Sequence, residues 1–377
     1  MITIPAMPFY WRFNDSPDKK PDDPPALVAF GFDYDKELDL FIESRSPALS
    51  RLLADVYSRH ANVGFLQDGN NLINTYGADF WRFLNELIAQ YPARTVLEVG
   101  CGGCVLLERL KYQGCEVLGV DPSPFAVMAG ERKGIRVIPE FFPPNNLDCI
   151  PDLIFQVDVL EHIESPLPFL QSQVACMNEG GIIVVNVPDC TQSLALGDIS
   201  MALHQHVNMF DMVSLPALLK AAGLEVIKLE RSHYGSALYC AARKMRNFQE
   251  NIPEHDPGRW DRFEVQAKRN IERFQSVLED VKKSADSIGF FMPQRAFPYL
   301  GMIDCFDGFR IFDNLNLWHR RYLDGISTPI ENQADLVENP VDHVFVMSLT
   351  FGNEVARQLK KDVPGMKITT LAEILAC

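Results

Sequence analysis

The stretch Val96-Leu-Glu-Val-Gly-Cys-Gly-Gly-Cys-Val-Leu-Leu-Glu-Arg-Leu110 decides the fold. A short apolar run over 95–99 reads as a buried strand. It breaks at Gly100 and Gly102, and a helix-period run over 105–110 follows at once. Strand, glycine turn, helix is the opening of a nucleotide-binding βαβ unit. About 20 residues on, a second strand over 116–121 ends on Asp121. A carboxylate there can accept hydrogen bonds from both hydroxyls of a ribose. The loop lacks the dinucleotide form, because the last glycine of G-x-G-x-x-G would fall on Val105. Without it the helix cannot pack as closely or present a tight pyrophosphate site, so a nicotinamide dehydrogenase is a weak reading.

Downstream the chain keeps alternating. Strands are expected over 135–138, 153–157, 182–187, 224–229 and 238–242. A helix over 166–177 stops at Glu179-Gly180-Gly181, and another over 212–222 closes at Gly223. Alternating strands and helices with apolar strands imply a parallel sheet covered on both faces. Upstream, residues 1–25 carry six prolines among polar residues and read as extended and poorly packed. Apolar residues then recur at helical spacing over 36–59 and 79–91. By their order these helices could cover the ligand site. A charged, helix-period run over 260–287 has one apolar stripe and reads as a link between domains. Beyond it, Ile288-Gly-Phe-Phe291, Phe309-Arg-Ile-Phe312, Val344-Phe-Val-Met347 and a last helix over 370–375 make a smaller α/β lobe.

Composition is that of a soluble globular protein of two to three domains. The formal charge of −15 argues against nucleic acid or an anionic membrane as the main partner. No apolar run reaches the ~20 residues of a membrane span, and the N-terminus lacks a secretory pattern. Nine scattered cysteines fit a reducing, cytoplasmic compartment. Cys101-x-x-Cys104 has zinc-ligand spacing, but no second pair follows and it lies inside the glycine loop, so no metal is expected.

Glu98-Val-Gly100-Cys-Gly102 resembles the first motif of class I S-adenosylmethionine-dependent methyltransferases. The resemblance implies that this loop lies under the methionine part of S-adenosyl-L-methionine and that Asp121 holds its ribose. The family usually has a third glycine where Cys104 stands, and a side chain there should crowd the ligand or displace the loop. Val187-Pro-Asp189 with His204-Gln-His206-Val-Asn-Met-Phe210, and Ser232-His-Tyr-Gly-Ser-Ala-Leu-Tyr239, resemble segments of the sugar C-methyltransferases. Arg321-Tyr-Leu-Asp-Gly-Ile-Ser-Thr-Pro-Ile330 and Val344-Phe-Val-Met-Ser-Leu-Thr-Phe-Gly-Asn-Glu354 look like that family's second Rossmann-like domain. The likeness spans about residues 95–360. Its departures are the missing N-terminal zinc cysteines, Met-Pro-Gln-Arg-Ala-Phe in place of a second glycine turn, and Gln205 where the family has glutamate.

The expected fold is therefore α/β, with a Rossmann-like methyltransferase sheet, a helical N-terminal region and a smaller C-terminal α/β domain. The expected boundaries are 1–75 for the N-terminal region, 76–245 for the methyltransferase domain, 246–287 for the linker and 288–377 for the last domain. Methyl transfer usually needs a group that removes a proton from the acceptor. His206 is the first choice, because histidine titrates near neutrality and this one follows the fifth strand. His204 is the second, and a structural role at a helix start is open for both. Glu98, Gly100, Gly102 and Asp121 would hold the cofactor. Glu140 and Phe141 would meet its adenine, and His162 would line the cofactor or order its loop. Tyr76, Gln205, His233 and Tyr234 would face the substrate, a small polar molecule for which a sugar or nucleotide-sugar is suggested by resemblance. The alternative is a non-catalytic methyltransferase-like binding or scaffold protein.

Overall fold

The quoted stretch does begin a parallel sheet. The computed structural model describes residues 2–9, 13–17, 26–59, 71–245, 256–315 and 318–376. Its central sheet is built from β4 (Thr95–Val99), β5 (Glu116–Val120), β6 (Arg136–Ile138), β7 (Leu153–Val157), β8 (Ile182–Pro188), β9 (Leu224–Arg231) and β10 (Ala237–Lys244). The seven strands lie in the order β9-β10-β8-β7-β4-β5-β6, and β10 runs antiparallel to both neighbours. This is the expected α/β Rossmann-like architecture, with one reversed strand in an otherwise parallel sheet.

Alternate residues of each strand feed two separate cores. On one face Leu97, Ile154, Ile183 and Leu238 pack with Leu170 of helix α5 (Pro166–Cys176) and Leu218 of α6 (Ser214–Ala221). On the other, Val96, Phe155, Val184 and Tyr239 pack with Phe80 and Phe83 of α2 (Asn71–Gln90) and Leu107 of α3 (Val105–Tyr112). Helix α2 starts well before residue 79, so Tyr76 lies within it.

The N-terminal region corrects the reading. Instead of loose chain and a helix over 36–59, it forms β1 (Ile2–Pro8), β2 (Leu27–Asp35), β3 (Leu40–Glu43) and then α1 (Pro47–Arg59). The strands make an antiparallel sheet completed by Asn208–Met209. Leu38, Phe41 and Ile42 fit a helix only by their short spacing, and Asp39 with φ 50° turns the chain between two strands. In β1, Ile2 and Ile4 are buried while Thr3 is exposed, the period of a strand. Pro5, which has no N–H, stands in the bulge between Ile4 and Met7. Residues 10–12, 18–25 and 60–70 lie outside the described residues, as does 246–255 of the expected linker.

Helix α7 (Arg259–Lys282) turns Phe263, Ala267, Phe274 and Leu278 inward, while Val265 is exposed. Beyond it a parallel sheet runs β13-β12-β11-β14-β15, from β11 (Ile288–Phe291), β12 (Arg310–Phe312), β13 (Ile330–Glu331), β14 (His343–Val346) and β15 (Lys367–Thr370). Helix α8 (Pro293–Met302) replaces the glycine turn after β11. Phe30, Phe32 and Phe41 of the N-terminal sheet share one core with Phe263, Phe274, Phe290 and Phe345. Among the described residues no helix is long and apolar enough to cross a membrane.

Candidate active site

The glycine loop leaves β4 at Gly100, whose φ is 72° and whose N–H donates to the Val120 carbonyl at 2.8 Å. A Cβ at Gly100 would lie 2.5 Å from Val159 Cγ2, so the segment after β7 presses directly on this loop and only glycine fits. Cys104 adopts the left-handed φ of 55° that a third glycine would supply. Its side chain is fully buried, with Sγ 3.8 Å from Cys101 Sγ and 3.9 Å from the Ala126 carbonyl. The sulfur thus packs beneath the loop, towards Cys101 and the Ala126 carbonyl.

Asp121, at the end of β5, organises the same loop. Its Oδ2 accepts from Gly102 N at 2.9 Å and its Oδ1 from Ser123 N at 2.8 Å. Each oxygen retains a second lone pair, enough for a pair of hydroxyls. Glu98 is buried in β4, and its Oε2 has no hydrogen-bond partner among the described residues. Burial, with Cys104 and Asp121 adding, pushes its carboxyl well above the usual range. An orphaned acceptor beneath the loop suits a cationic amino group. Glu140 accepts from both Asn145 N and Nδ2 at 2.8 Å and so holds its own turn. The neighbouring Phe141 ring is 52% exposed, free to face another ring.

Across the ends of β7 and β8 lies a second group. The Tyr76 hydroxyl is 2.9 Å from Asp158 Oδ1 and 3.1 Å from Asn186 Oδ1. Asp158 has φ 52°, and burial raises its carboxyl to about 6. Asp79 of α2 accepts from His233 N at 2.7 Å and lies 3.3 Å from its Nδ1, so His233 is anchored though largely exposed. The Tyr234 ring instead meets Phe351, with centroids 5.7 Å apart, turning towards the C-terminal sheet. Sequence reading missed Asp158, Asn186, Asp79 and Glu161. The signal available was position: each of the first two follows or ends an apolar strand at its carboxyl edge, where ligands bind.

The histidines divide. His204, the second choice as base, is completely buried, with Nε2 3.1 Å from the Val28 carbonyl and its ring between Phe9 and Phe30. It is a core residue and cannot reach an acceptor. Gln205 is 1% exposed, so it does not line an open substrate face; neither side-chain polar atom has a partner among the described residues. His162 orders the loop: its Nδ1 is 2.8 Å from the Gln205 carbonyl and 3.2 Å from the Tyr57 hydroxyl. Burial pushes it down to about 4. His206 stands edge-on to His162, with ring centroids 5.1 Å apart. Burial, then the neighbouring His162, Arg295 and Arg45, holds its proton affinity well below the ordinary value. It is neutral at pH 7, as a base must be, but a weak one.

Residues 71–229, which carry the loop, Asp121, Asp158 and the histidines, match the family described as a methyltransferase domain. This segment is similar to a methyltransferase domain. A mitochondrial ubiquinone biosynthesis O-methyltransferase of Schizosaccharomyces pombe is 25% identical over 148 residues, covering 36% of this chain and 54% of that protein. A tRNA U34 carboxymethyltransferase of Pseudoalteromonas translucida is 30% identical over 118 residues, 28% of this chain and 35% of that one. The chain thus spans about half or less of the length of these curated relatives. Among solved structures, magnesium protoporphyrin IX methyltransferase of Synechocystis aligns at 15% identity and a TM-score of 0.41, covering 52% of this chain and 100% of that one.

Proposed function

We propose that the protein transfers a methyl group from S-adenosylmethionine to a small polar acceptor. The observation that carries this reading is the combination beneath the glycine loop: a buried Glu98 oxygen with no partner, and an Asp121 carboxylate that fixes the loop yet keeps free lone pairs. Glu98 fits the amino group of the cofactor's methionine part, Gly100 and Gly102 leave its backbone approach clear, and Asp121 fits the ribose hydroxyls. Phe141 fits the adenine ring, and Glu140 would stand beside it. When bound, S-adenosylmethionine supplies an electrophilic methyl carbon on a sulfonium.

The chain's own residues then have to seat the acceptor and receive its proton. Tyr76, Asp158 and Asn186 line the carboxyl edge of β7 and β8, where the acceptor would sit, with His233 and Tyr234 at the rim. His206 would receive the proton, although its lowered proton affinity limits its strength. The acceptor class favoured by the His204-Gln-His206 and Ser232-His-Tyr-Gly segments is a sugar or nucleotide-sugar. Against a purely non-catalytic scaffold stands the position of Cys104, whose sulfur packs beneath the loop.

The experiment is a methyl-transfer assay with isotopically labelled S-adenosylmethionine and a panel of nucleotide-sugars, small phenols and tRNA. Label appearing in a nucleotide-sugar supports the acceptor class, and label in tRNA or a phenol replaces it. Tight cofactor binding with no transfer to any candidate would favour the scaffold.

A further inference from the structure

Glu161 occupies a position that an unpaired carboxylate rarely takes. It is 1% exposed, and neither carboxylate oxygen has a hydrogen-bond partner among the described residues. Burying such a group uncompensated is costly, and burial together with nearby Asp158 pushes its carboxyl well above the usual range. Its neighbours are two imidazoles. One possible ligand atom each from Glu161, His162 and His206 lie within 4.8 Å of one another. Glu161 Oε1 is 3.8 Å from His162 Nε2.

The His162 ring is set from behind. A carbonyl can only accept, so His162 Nδ1 carries the proton and donates to Gln205 O at 2.8 Å. That tautomer leaves Nε2 with its lone pair turned to Glu161, the arrangement in which metal-binding histidines are held by an outer partner. His206 is half-buried, which leaves the group an approach from outside.

We propose that Glu161, His162 and His206 bind one divalent transition-metal ion, with zinc the closest chemical match. Two imidazoles and one carboxylate suit zinc and its neighbours, whereas magnesium and calcium prefer oxygen ligands. Three protein ligands leave a coordination position open, as catalytic rather than structural sites do. Ligand atoms about 2.1 Å from a tetrahedral ion lie about 3.4 Å apart, so side-chain rotation has to close the present separations by up to about 1.4 Å. The cation also answers the orphaned carboxylate. The inference rests on the methyl-transfer reading for one point, its use. A cation beside the acceptor lowers the proton affinity of an acceptor hydroxyl, and it would replace His206 in that role, because the lone pair of a coordinating imidazole is taken by the ion. The acceptor would then carry a hydroxyl or an enolisable carbonyl.

Full-length protein stripped with a chelator and titrated with Co²⁺ tests this by visible absorption, with Zn²⁺ competing. The expected result is one Co²⁺ per chain, with ligand-field bands and no thiolate-to-metal band, displaced by Zn²⁺. Glu161→Gln, which keeps volume, and His206→Ala should each weaken binding by about 100-fold or more, while Cys104→Ser leaves it unchanged. No saturable site in the wild type overturns the proposal. So does a thiolate band lost in Cys104→Ser, which would place the metal on Cys101 and Cys104. If the variants do not fold, X-ray absorption of the zinc-loaded wild type decides, because imidazole and oxygen scattering supports the site and sulfur scattering rejects it. S-adenosylhomocysteine titrated in parallel separates the two readings. Absent metal with intact cofactor binding sinks the metal site alone, and the reverse sinks the methyl-transfer reading.

Discussion

At the scale of single residues, Asp121 joins two tasks that a variant should separate. Asp121→Ala removes the ribose acceptor and the two backbone contacts that shape the loop. Loss of a hydrogen bond to a charged group costs ~1.5–3 kcal/mol, about 10- to 150-fold in cofactor affinity. Asp121→Asn keeps one acceptor oxygen and should lose less; calorimetric Kd values compare them, and an unchanged Kd in folded Asp121→Ala would remove Asp121 from the site. His204 gives a pH prediction of known sign. Burial lowers it from 6.5 to about 4 in the folded chain. Above pH 6.5 both folded and unfolded chains hold it neutral. Below that the unfolded chain takes up a proton that the folded chain refuses until about pH 4, so its contribution to stability is lost as pH falls. Between pH 7.5 and pH 5 this amounts to ~2 kcal/mol. His204→Gln should lose stability at neutral pH, yet show a smaller further loss on going to pH 5. Parallel urea melts at the two pH values measure this, and identical pH slopes would contradict the buried neutral histidine.

At the scale of elements, what was legible follows from physics that acts locally. Strands β4, β5, β7 and β8 are short apolar runs between turn residues, and neighbours along the chain mark them. The loop glycines were legible for the same reason. Residues 36–43 were not, since Leu38, Phe41 and Ile42 satisfy a helical period over too short a span, and their partners in β2 and at Asn208–Met209 are distant in sequence. Site residues chosen by residue type fared unevenly. His204 carries the right chemistry but is held by Val28 and two phenylalanine rings from the N-terminal sheet, which no local pattern reveals. Asp158 and Asn186 gain their meaning only when α2 brings Tyr76 across the sheet edge. One contact between elements is sharply testable. A Cβ on Gly301 of α8 would lie 2.2 Å from the Ala6 carbonyl and 2.7 Å from Ile4 Cγ2 in β1. Backbone cannot yield as a side-chain tip does, so Gly301→Ala should destabilise by at least about 2 kcal/mol. A denaturant midpoint equal to wild type would mean that β1 and α8 are not in close contact.

At the scale of the molecule, the N-terminal sheet, α7 and the C-terminal sheet share one apolar core, while the central sheet has two of its own. A fragment of residues 256–377 would therefore expose Phe263, which the full chain packs against Phe32 and Phe41, and the side of α8 that meets β1. Such a fragment should be aggregation-prone or lack fixed tertiary structure. Dispersed amide resonances and a cooperative melt from it would show the C-terminal part to be independent. The central claim, however, concerns the glycine loop, Glu98 and Asp121 as a site for S-adenosylmethionine. Its most direct test is calorimetric titration of the full-length protein with S-adenosylmethionine, S-adenosylhomocysteine and NAD. The account predicts saturable one-to-one binding of both sulfur compounds and none of NAD. Saturable NAD binding, or no binding of either sulfur compound by folded protein, would contradict it.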